Sequence, residues 1–210
     1  MRIKLFLLSL FFTFLFTYFS YAVAKERWTK LDFDTTVKLQ DHIISRRFDK
    51  YSSYFSLLGS IEVTLIFCLI MVVWSLIRLK WLAFLGWLMI VPASMVEVFG
   101  KLVLYHPAPP VFLHRSVFST TLPAFYVHTD YSYPSGHMVR LVFILVIFIS
   151  MVYFGKKHLV SKIISLGFLL GLIFLMGLTR VYLGEHWMSD VIGGLILGLG
   201  VGLFASVLII

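Results

Sequence analysis

The chain has 210 residues, of which 60% are apolar and 13% are charged, and its mean hydropathy is +0.96. Soluble globular domains have about 45–50% apolar and about 25% charged residues, so these values exclude a soluble domain, a disordered chain and a collagen-like chain. The formal net charge is +8. Because the basic residues are spread over the ends of apolar stretches, we expect anionic lipid headgroups as the partner and no nucleic acid.

Six apolar stretches are long enough, or nearly so, to cross a bilayer, which takes about 20 residues in a helix. In chain order they are Leu5–Ala24, Tyr54–Ile77, Trp81–Gly100, Met138–Phe154, Leu159–Leu178 and Val191–Ile210. They predict an all-α integral membrane bundle of six transmembrane helices without an internal repeat. The single cysteine, Cys68, lies inside the second stretch, which excludes an intrachain disulfide.

The first segment, residues 1–24, has two interpretations. Arg2 and Lys4 precede its apolar run, and small residues stand before Lys25, which is also the pattern of a secretory signal with a cleavage site. The apolar run is long for a signal peptide but sufficient for a membrane helix. We therefore expect an uncleaved first helix, whereas cleavage would leave five spans in the same orientation.

The next segment, residues 25–53, is predicted to lie outside the catalytic core, which we place at 54–210. Its apolar residues recur at spacings of three to five, which predicts an amphipathic helix on the membrane surface. These residues are Leu39, Ile43, Phe48 and Tyr51. We interpret the charges of this segment as a solvated face without a catalytic role.

The density of basic residues predicts which segments face the cytoplasm. Three short inner segments hold seven basic residues in 15 positions and no acid, whereas three outer segments hold ten basic and eight acidic residues in 76 positions. The inner segments are 1–4, 78–80 and 155–162, and the outer ones are 25–53, 101–136 and 180–190. We therefore expect both termini on the cytoplasmic side of the plasma or inner membrane, and the polar motifs on its outer face.

One histidine in the third outer segment is paired with a carboxylate. His186 and Asp190 are four residues apart, so they share a face at the start of the sixth span. A carboxylate in this position accepts a proton from one imidazole nitrogen and fixes the tautomer. The other nitrogen is then free to act as a nucleophile.

The second outer segment supplies groups that suit an anion. Pro134-Ser135-Gly136 leads into the fourth span, where the free N–H groups of a helix start form an anion site. His137 follows directly and is placed to protonate a leaving oxygen. Lys101 and Arg180 add fixed positive charge for the oxygens of a phosphoryl group. Together these residues predict phosphoryl transfer through a histidine.

A metal site is the competing interpretation, because the chain has seven histidines. No His-Glu-x-x-His pair or carboxylate cage occurs in the sequence, and Lys101 and Arg180 would repel a divalent cation. We therefore expect neither a metal ion nor another cofactor.

The polar residues resemble the three-part signature of the type 2 phosphatidic acid phosphatase family, which also includes vanadium haloperoxidases and glucose-6-phosphatase-like enzymes. The parts are a lysine with Arg-Pro after six residues, Pro-Ser-Gly-His, and Ser/Thr-Arg-x5-His-x3-Asp. The second part is complete here as Pro134–His137, and the third as Thr179-Arg180 with His186 and Asp190. The resemblance covers about Asp34 to the C-terminus.

The resemblance implies a role for each matching residue. His186 would be the nucleophile that forms a phosphohistidine, Asp190 would orient it, and His137 would be the general acid. The residues implied to bind phosphate are Lys101, Ser135, Gly136 and Arg180. The implied substrate is a lipid phosphate or diphosphate: polyprenyl diphosphate, phosphatidylglycerol phosphate, phosphatidic acid or lipid A phosphate.

The first part of the signature departs from the family pattern. Ala108-Pro109 stands where the family has Arg-Pro, so one phosphate-binding guanidinium is missing. Arg140 lies three residues after His137 on the same helix face, and a charge inside a span needs compensation. We expect Arg140 to supply the missing guanidinium, with Arg115 as the second candidate.

Four further polar residues lie just before or within the second outer segment. Glu97, one helical turn before Lys101, either holds the lysine in place or forms an ion pair without a role in turnover. His106, His114 and His128 are interpreted as surface or interfacial residues.

Two other functions stay open at this point. The chain could be a lipid phosphotransferase that passes the phosphoryl group from His186 to an acceptor lipid. It could also be a non-catalytic membrane protein that binds lipid headgroups, which the loss of the arginine at Ala108 would favour.

Overall fold

The computed structural model describes residues 2–118, 131–156 and 158–210. Over these residues the chain forms nine α-helices, with short 3₁₀ turns at Leu57–Gly59 and Val111–Leu113. The helices are α1 (Arg2–Ala24), α2 (Thr29–His42), α3 (Arg46–Ser56), α4 (Ile61–Ile77), α5 (Trp81–Leu88), α6 (Ile90–Val103), α7 (Gly136–Phe154), α8 (Leu159–Tyr182) and α9 (Met188–Ile209).

Six helical units among the described residues are long and apolar enough to cross a membrane. Two of these units consist of two helices each, namely α3 with α4 and α5 with α6. Pro92 explains the second interruption, because it has no N–H to donate to the carbonyl of Leu88. The prediction of an all-α membrane bundle with six spans is confirmed.

Several spans extend further than the apolar pattern predicted, and α7, α8 and α9 do so through buried motif residues. α7 begins two residues earlier than expected, α8 continues for four more residues, and α9 begins three residues earlier. Each added end carries a motif residue, namely His137, Arg180 or Asp190. Hydropathy ends a span at a polar residue, but these three side chains are buried inside the protein, so the helices continue through them.

The prediction of one amphipathic helix over residues 25–53 is wrong. The chain forms α2, a short break and then α3, which runs past Ser53 into the core segment. Gln40 fastens α2 to the bundle, because its Nε2 donates to the carbonyls of Leu113 and Tyr182 at 2.7 and 2.8 Å. The segment therefore packs against the end of the bundle.

α7 and α9 form the most extensive helix pair, and glycines of α9 make the close approach possible. A Cβ at Gly194 would lie 2.6 Å from the carbonyl oxygen of Ser135, and one at Gly198 would lie 2.8 Å from that of Val139. Small residues are common where membrane helices pack this tightly. The approach sets the start of α9 directly beside the start of α7.

α1 packs along α9 and reaches the loop that precedes α7. The Ser20 and Tyr133 hydroxyl oxygens are 2.9 Å apart, and the Phe16 ring stacks on Tyr133 with 6.1 Å between centroids. Val23 is fully buried. That the first helix is not cleaved stays a prediction, and the contacts of α1 with Tyr133 support it.

Candidate active site

The three motif segments meet at one end of the bundle. The polar residues come from the last turn of α6 (Lys101), the start of α7 (His137), the end of α8 (Arg180), the following turn (His186) and the start of α9 (Asp190). His137 and His186 interact electrostatically with each other and with the same three cations, Lys101, Arg140 and Arg180. The structure thus brings together all the side chains that the sequence assigned to chemistry.

His186 is held as the spacing predicted. Its Nδ1 lies 3.1 Å from Oδ2 of Asp190, and the same oxygen accepts the backbone N–H of Trp187 at 3.0 Å. Asp190 is fully buried, and its position at the N-terminal end of α9 places it where the helix dipole stabilises a negative charge. This contact assigns the proton of the neutral imidazole to Nδ1 and leaves the lone pair on Nε2.

The surroundings of His186 keep its imidazole neutral. Burial, followed by the charges of Arg180 and Lys101, lowers the pKa of His186 well below its usual range. A neutral imidazole retains the lone pair that a nucleophile needs.

The start of α7 combines a free hydroxyl with helical N–H groups. Ser135 is the N-cap of α7, and its backbone N–H donates to the Asp190 carbonyl at 3.0 Å. Its buried Oγ has no hydrogen-bond partner among the described residues. A Cβ at Gly136 would collide first with the Glu97 carboxylate and then with Nη1 of Arg140 at 2.7 Å, so both side chains pack closely on this glycine. These features favour an anion at the helix start.

Glu97 joins two of the cations. Its Oε1 pairs with Nζ of Lys101 at 2.8 Å, and its Oε2 pairs with Nη1 of Arg140 at 2.6 Å. Nε of Arg140 also donates to the Gly59 carbonyl at 3.3 Å. Glu97 thus forms the predicted ion pair with Lys101 and has Arg140 as a second partner, and both interpretations of Glu97 stay open.

Arg180 has a carboxylate partner that the sequence interpretation missed. Its Nη2 pairs with Glu185, which also accepts a hydrogen bond from Ser116, and its Nη1 lies 2.5 Å from Oγ of Ser56. Glu185 precedes His186 in the chain, but a single glutamate in a loop carries no spacing signal. Among the described residues, the three cations Lys101, Arg140 and Arg180 thus form ion pairs with two carboxylates, Glu97 and Glu185.

Arg115, the second candidate for the missing guanidinium, fastens the outer loop. Its Nη1 donates to the Ile43 carbonyl at 2.9 Å, and its guanidinium lies over the Tyr182 ring at 5.4 Å. These contacts connect the outer loop to the α2–α3 break and to the end of α8.

The surface interpretation is wrong for His106. This residue is only 5% exposed, and its Nε2 lies 3.3 Å from Oδ1 of Asp190 and 3.0 Å from Oγ of Ser189. Burial lowers its pKa to about 4, so the imidazole is neutral at pH 7. His114 is exposed as expected, and His128 lies outside the described residues.

Asp32 of α2 is a second residue that the sequence interpretation missed. It is buried, and its two oxygens accept the backbone N–H and the hydroxyl of Ser189 at 2.8 and 2.7 Å. Across the described residues no group of three or more His, Cys, Asp or Glu side chains could hold a metal ion.

The family is established by comparison with known proteins. Residues 81–209, more than half of the chain, match the model of the PAP2 superfamily. The chain therefore belongs to the PAP2 superfamily, which confirms the resemblance deduced from the motifs.

One curated relative is phosphatidylglycerophosphatase B of Bacillus subtilis (strain 168). It is 36% identical over 75 residues, which cover 34% of this chain and 36% of that protein. The chain thus matches about a third of the length of this relative.

Two solved structures share the fold. One is a transmembrane PAP2 type phosphatidylglycerolphosphate phosphatase from Bacillus subtilis, with a TM-score of 0.73, 20% identity and 94% coverage of both chains. The other is LpxE of Aquifex aeolicus, with a TM-score of 0.57, 21% identity, and coverage of 83% of this chain and 94% of that one.

Proposed function

We propose that the chain is a membrane lipid phosphatase that hydrolyses a lipid phosphate through a phosphohistidine on His186. The observation that carries this proposal is the buried His186–Asp190 pair beside His137 and three cations. Membership of the PAP2 superfamily supports the same activity.

In the first step, Nε2 of His186 attacks phosphorus while the phosphate oxygens are bound by Lys101, Arg180 and the start of α7. The bond between phosphorus and the lipid oxygen breaks, and His137 in its protonated form gives its proton to that oxygen. The Nδ1 proton stays shared with Asp190, whose negative charge stabilises the imidazolium as it forms.

In the second step, neutral His137 takes a proton from a water molecule that attacks the phosphohistidine. The P–N bond breaks, inorganic phosphate leaves, and both histidines return to their starting states. Three cations against two carboxylates supply the electrostatic stabilisation that the transferred phosphoryl group needs.

We propose phosphatidylglycerol phosphate as the first substrate to test, because the curated relative from Bacillus subtilis is named for this activity. The apolar surfaces of the six spans suit a lipid that enters sideways from the bilayer while its headgroup reaches the polar end of the bundle. Polyprenyl diphosphate, phosphatidic acid and lipid A phosphate are the competing substrates.

We propose Arg140 as the residue that replaces the guanidinium missing at Ala108. It is buried at the start of α7 against Gly136, and the carboxylate of Glu97 fixes it there. Arg140→Lys keeps the charge but loses the planar donor pair, so the KM should rise and vanadate should bind more weakly. Wild-type turnover and affinity in a properly inserted Arg140→Lys protein would refute this role.

We also propose that the site faces outward across the plasma or inner membrane, as the basic density of the segments favours. His114→Cys tests this orientation, because His114 is exposed in the outer loop, whereas Cys68 is buried and can be replaced by serine. An impermeant thiol reagent should label this cysteine on intact cells. Labelling only after lysis would reverse the orientation.

The activity itself is tested by phosphate release from the four lipid classes in detergent, with His186→Ala as the matched control. Release from a lipid by the wild type alone supports a phosphatase. Transfer of the phosphoryl group only in the presence of an acceptor lipid would indicate a phosphotransferase. Binding without release would indicate a headgroup-binding protein.

A further inference from the structure

A buried polar cluster surrounds Asp190, and it connects α2 to the reacting histidine. Its members are Asp32, His106, Ser189 and Asp190, which the structure exposes by 1%, 5%, 0% and 0%. Nε2 of His106 lies within 3.8 Å of Oδ2 of Asp32 and 3.3 Å of Oδ1 of Asp190. One imidazole nitrogen therefore sits between two buried carboxylates.

The hydrogen bonds fix where the protons are. The Ser189 hydroxyl has one proton, which it donates to Asp32, so it cannot also donate to His106. The 3.0 Å contact between the Ser189 oxygen and Nε2 of His106 therefore requires the proton to be on Nε2. That N–H donates to the Ser189 oxygen, and the same nitrogen lies 3.3 Å from Oδ1 of Asp190.

The two carboxylates need such donors. A buried carboxylate without partners costs several kcal/mol, and two carboxylates that face each other raise this cost. Asp32 accepts two hydrogen bonds from Ser189, one from its backbone N–H and one from its hydroxyl. One oxygen of Asp190 accepts hydrogen bonds from the backbone N–H of Trp187 and from Nδ1 of His186. The other oxygen, Oδ1, accepts no hydrogen bond from the described residues, and Nε2 of His106 lies 3.3 Å from it. The neutral imidazole therefore places a polar N–H near this oxygen without adding a charge to the cluster.

We infer that Asp32, His106 and Ser189 position the Asp190 carboxylate and, through it, the reacting imidazole of His186. They are positioning residues and do not touch the phosphoryl group. The outer helix α2, which carries Asp32, is thereby part of the catalytic apparatus. This inference rests on the proposed role of His186.

The charge of the cluster acts on His186 together with the groups that surround this imidazole. These groups are Lys101 of α6, Arg140 and His137 of α7, Arg180 of α8, His106 of the outer loop and Asp190 of α9. Removing the negative charge of Asp32 should lower the pKa of His186. Removing the His106 donor leaves Asp190 less compensated and should raise it.

The test compares three variants of the cluster with two control variants. Asp32→Asn removes the charge from α2, with Asp41→Asn as the control because Asp41 is exposed on the same helix. His106→Leu removes the donor, and His106→Gln restores an N–H at the position of Nε2. His114→Leu is the control in the same loop, since His114 is exposed.

We expect Asp32→Asn and His106→Leu each to lower kcat by roughly 10-fold, a size typical of residues that orient a reacting ligand. KM should stay within about twofold, because the cations that bind phosphate are untouched. The acid limb of the pH–rate profile should move to lower pH in Asp32→Asn and to higher pH in His106→Leu. His106→Gln should restore most of the wild-type kcat and most of the wild-type position of the acid limb.

A second measurement does not depend on turnover. Diethyl pyrocarbonate reacts with neutral imidazole, so the pH dependence of His186 modification, read by peptide mass spectrometry, gives the pKa of this residue. We expect this pKa to be lower in Asp32→Asn and higher in His106→Leu than in the wild type. If the wild type releases no phosphate from any lipid but these shifts occur, the proposed function fails and the positioning inference stands.

Two results would overturn the inference. One is an unchanged kcat and an unchanged modification profile in correctly folded Asp32→Asn and His106→Leu. The other is a loss of activity that follows only the loss of thermal stability, without a shift of either pH profile, since a purely structural role would behave in this way.

Discussion

The two sides of His186 differ in how their charges are balanced. On the phosphate side, which we define as Lys101, Arg140, Arg180, Glu97 and Glu185, three cations face two carboxylates. On the carboxylate side, which we define as Asp32, His106, Ser189 and Asp190, two carboxylates accept hydrogen bonds from neutral groups. Ser189 donates to Asp32, and the backbone N–H of Trp187 donates to Asp190.

This difference polarises the imidazole. Nδ1 of His186 contacts the carboxylate of Asp190, and Lys101, Arg140 and Arg180 act electrostatically on the same ring. The first arrangement stabilises the cation that forms on the ring, and the second attracts the phosphate. The predictions below separate the two contributions.

Removing the imidazole that joins the two sides should have the largest effect. His186→Ala is expected to reduce phosphate release to background, because no other group can carry the phosphoryl intermediate. Binding of inorganic phosphate should persist, since Lys101 and Arg180 remain. Turnover near the wild-type rate in this variant would end the phosphohistidine mechanism.

Asp190→Asn tests the carboxylate side with little change in shape. The amide is neutral and cannot stabilise the imidazolium, so kcat should fall by roughly 10³- to 10⁴-fold while KM changes little. Steady-state kinetics on the folded variant measure both values. A loss smaller than about 10-fold would show that this charge is not needed for the reaction.

His137→Ala tests the proton donor. The loss of general acid catalysis should lower the rate of lipid phosphate hydrolysis by about 10²- to 10⁴-fold. An aryl phosphate, whose leaving oxygen needs no proton, should lose much less. Equal losses on both substrates would exclude His137 as the acid.

Glu185→Gln tests the phosphate side. The carboxylate pairs with Arg180 and repels a phosphate, so its neutralisation should lower KM and the vanadate inhibition constant by roughly 3- to 10-fold. Glu26→Gln is the control, because Glu26 is exposed at the end of α1. An unchanged or higher KM in Glu185→Gln would contradict this role.

The smallest effect is expected from removal of divalent ions. The cations of the phosphate side supply the positive charge for the phosphoryl group, so a chelator should leave the rate unchanged and orthovanadate should inhibit. Loss of activity in the chelator, restored by one specific divalent ion, would replace this account with a metal-dependent one.

Local patterns account for what could be predicted. The six spans follow from runs of apolar residues, and the His186–Asp190 contact follows from a spacing of four on one helix. The ends of α7, α8 and α9 were predicted too short for the same reason, because hydropathy treats a polar residue as the end of a span even where protein surrounds it. The helix of residues 25–53 was mispredicted because its apolar residues, such as Phe48 on the Tyr182 ring, pack against the bundle.

The sequence by itself determined the membrane class, the number of spans and the residues of the three motifs, since each depends on neighbours within one helix or one turn. The tertiary structure alone decided which residues far apart in the chain became partners. Asp32 meets Ser189 across 157 residues of chain, and Glu97 meets Arg140 across 43. Such pairs form because buried charges must find partners wherever the packed helices bring them together, and no local spacing encodes that meeting.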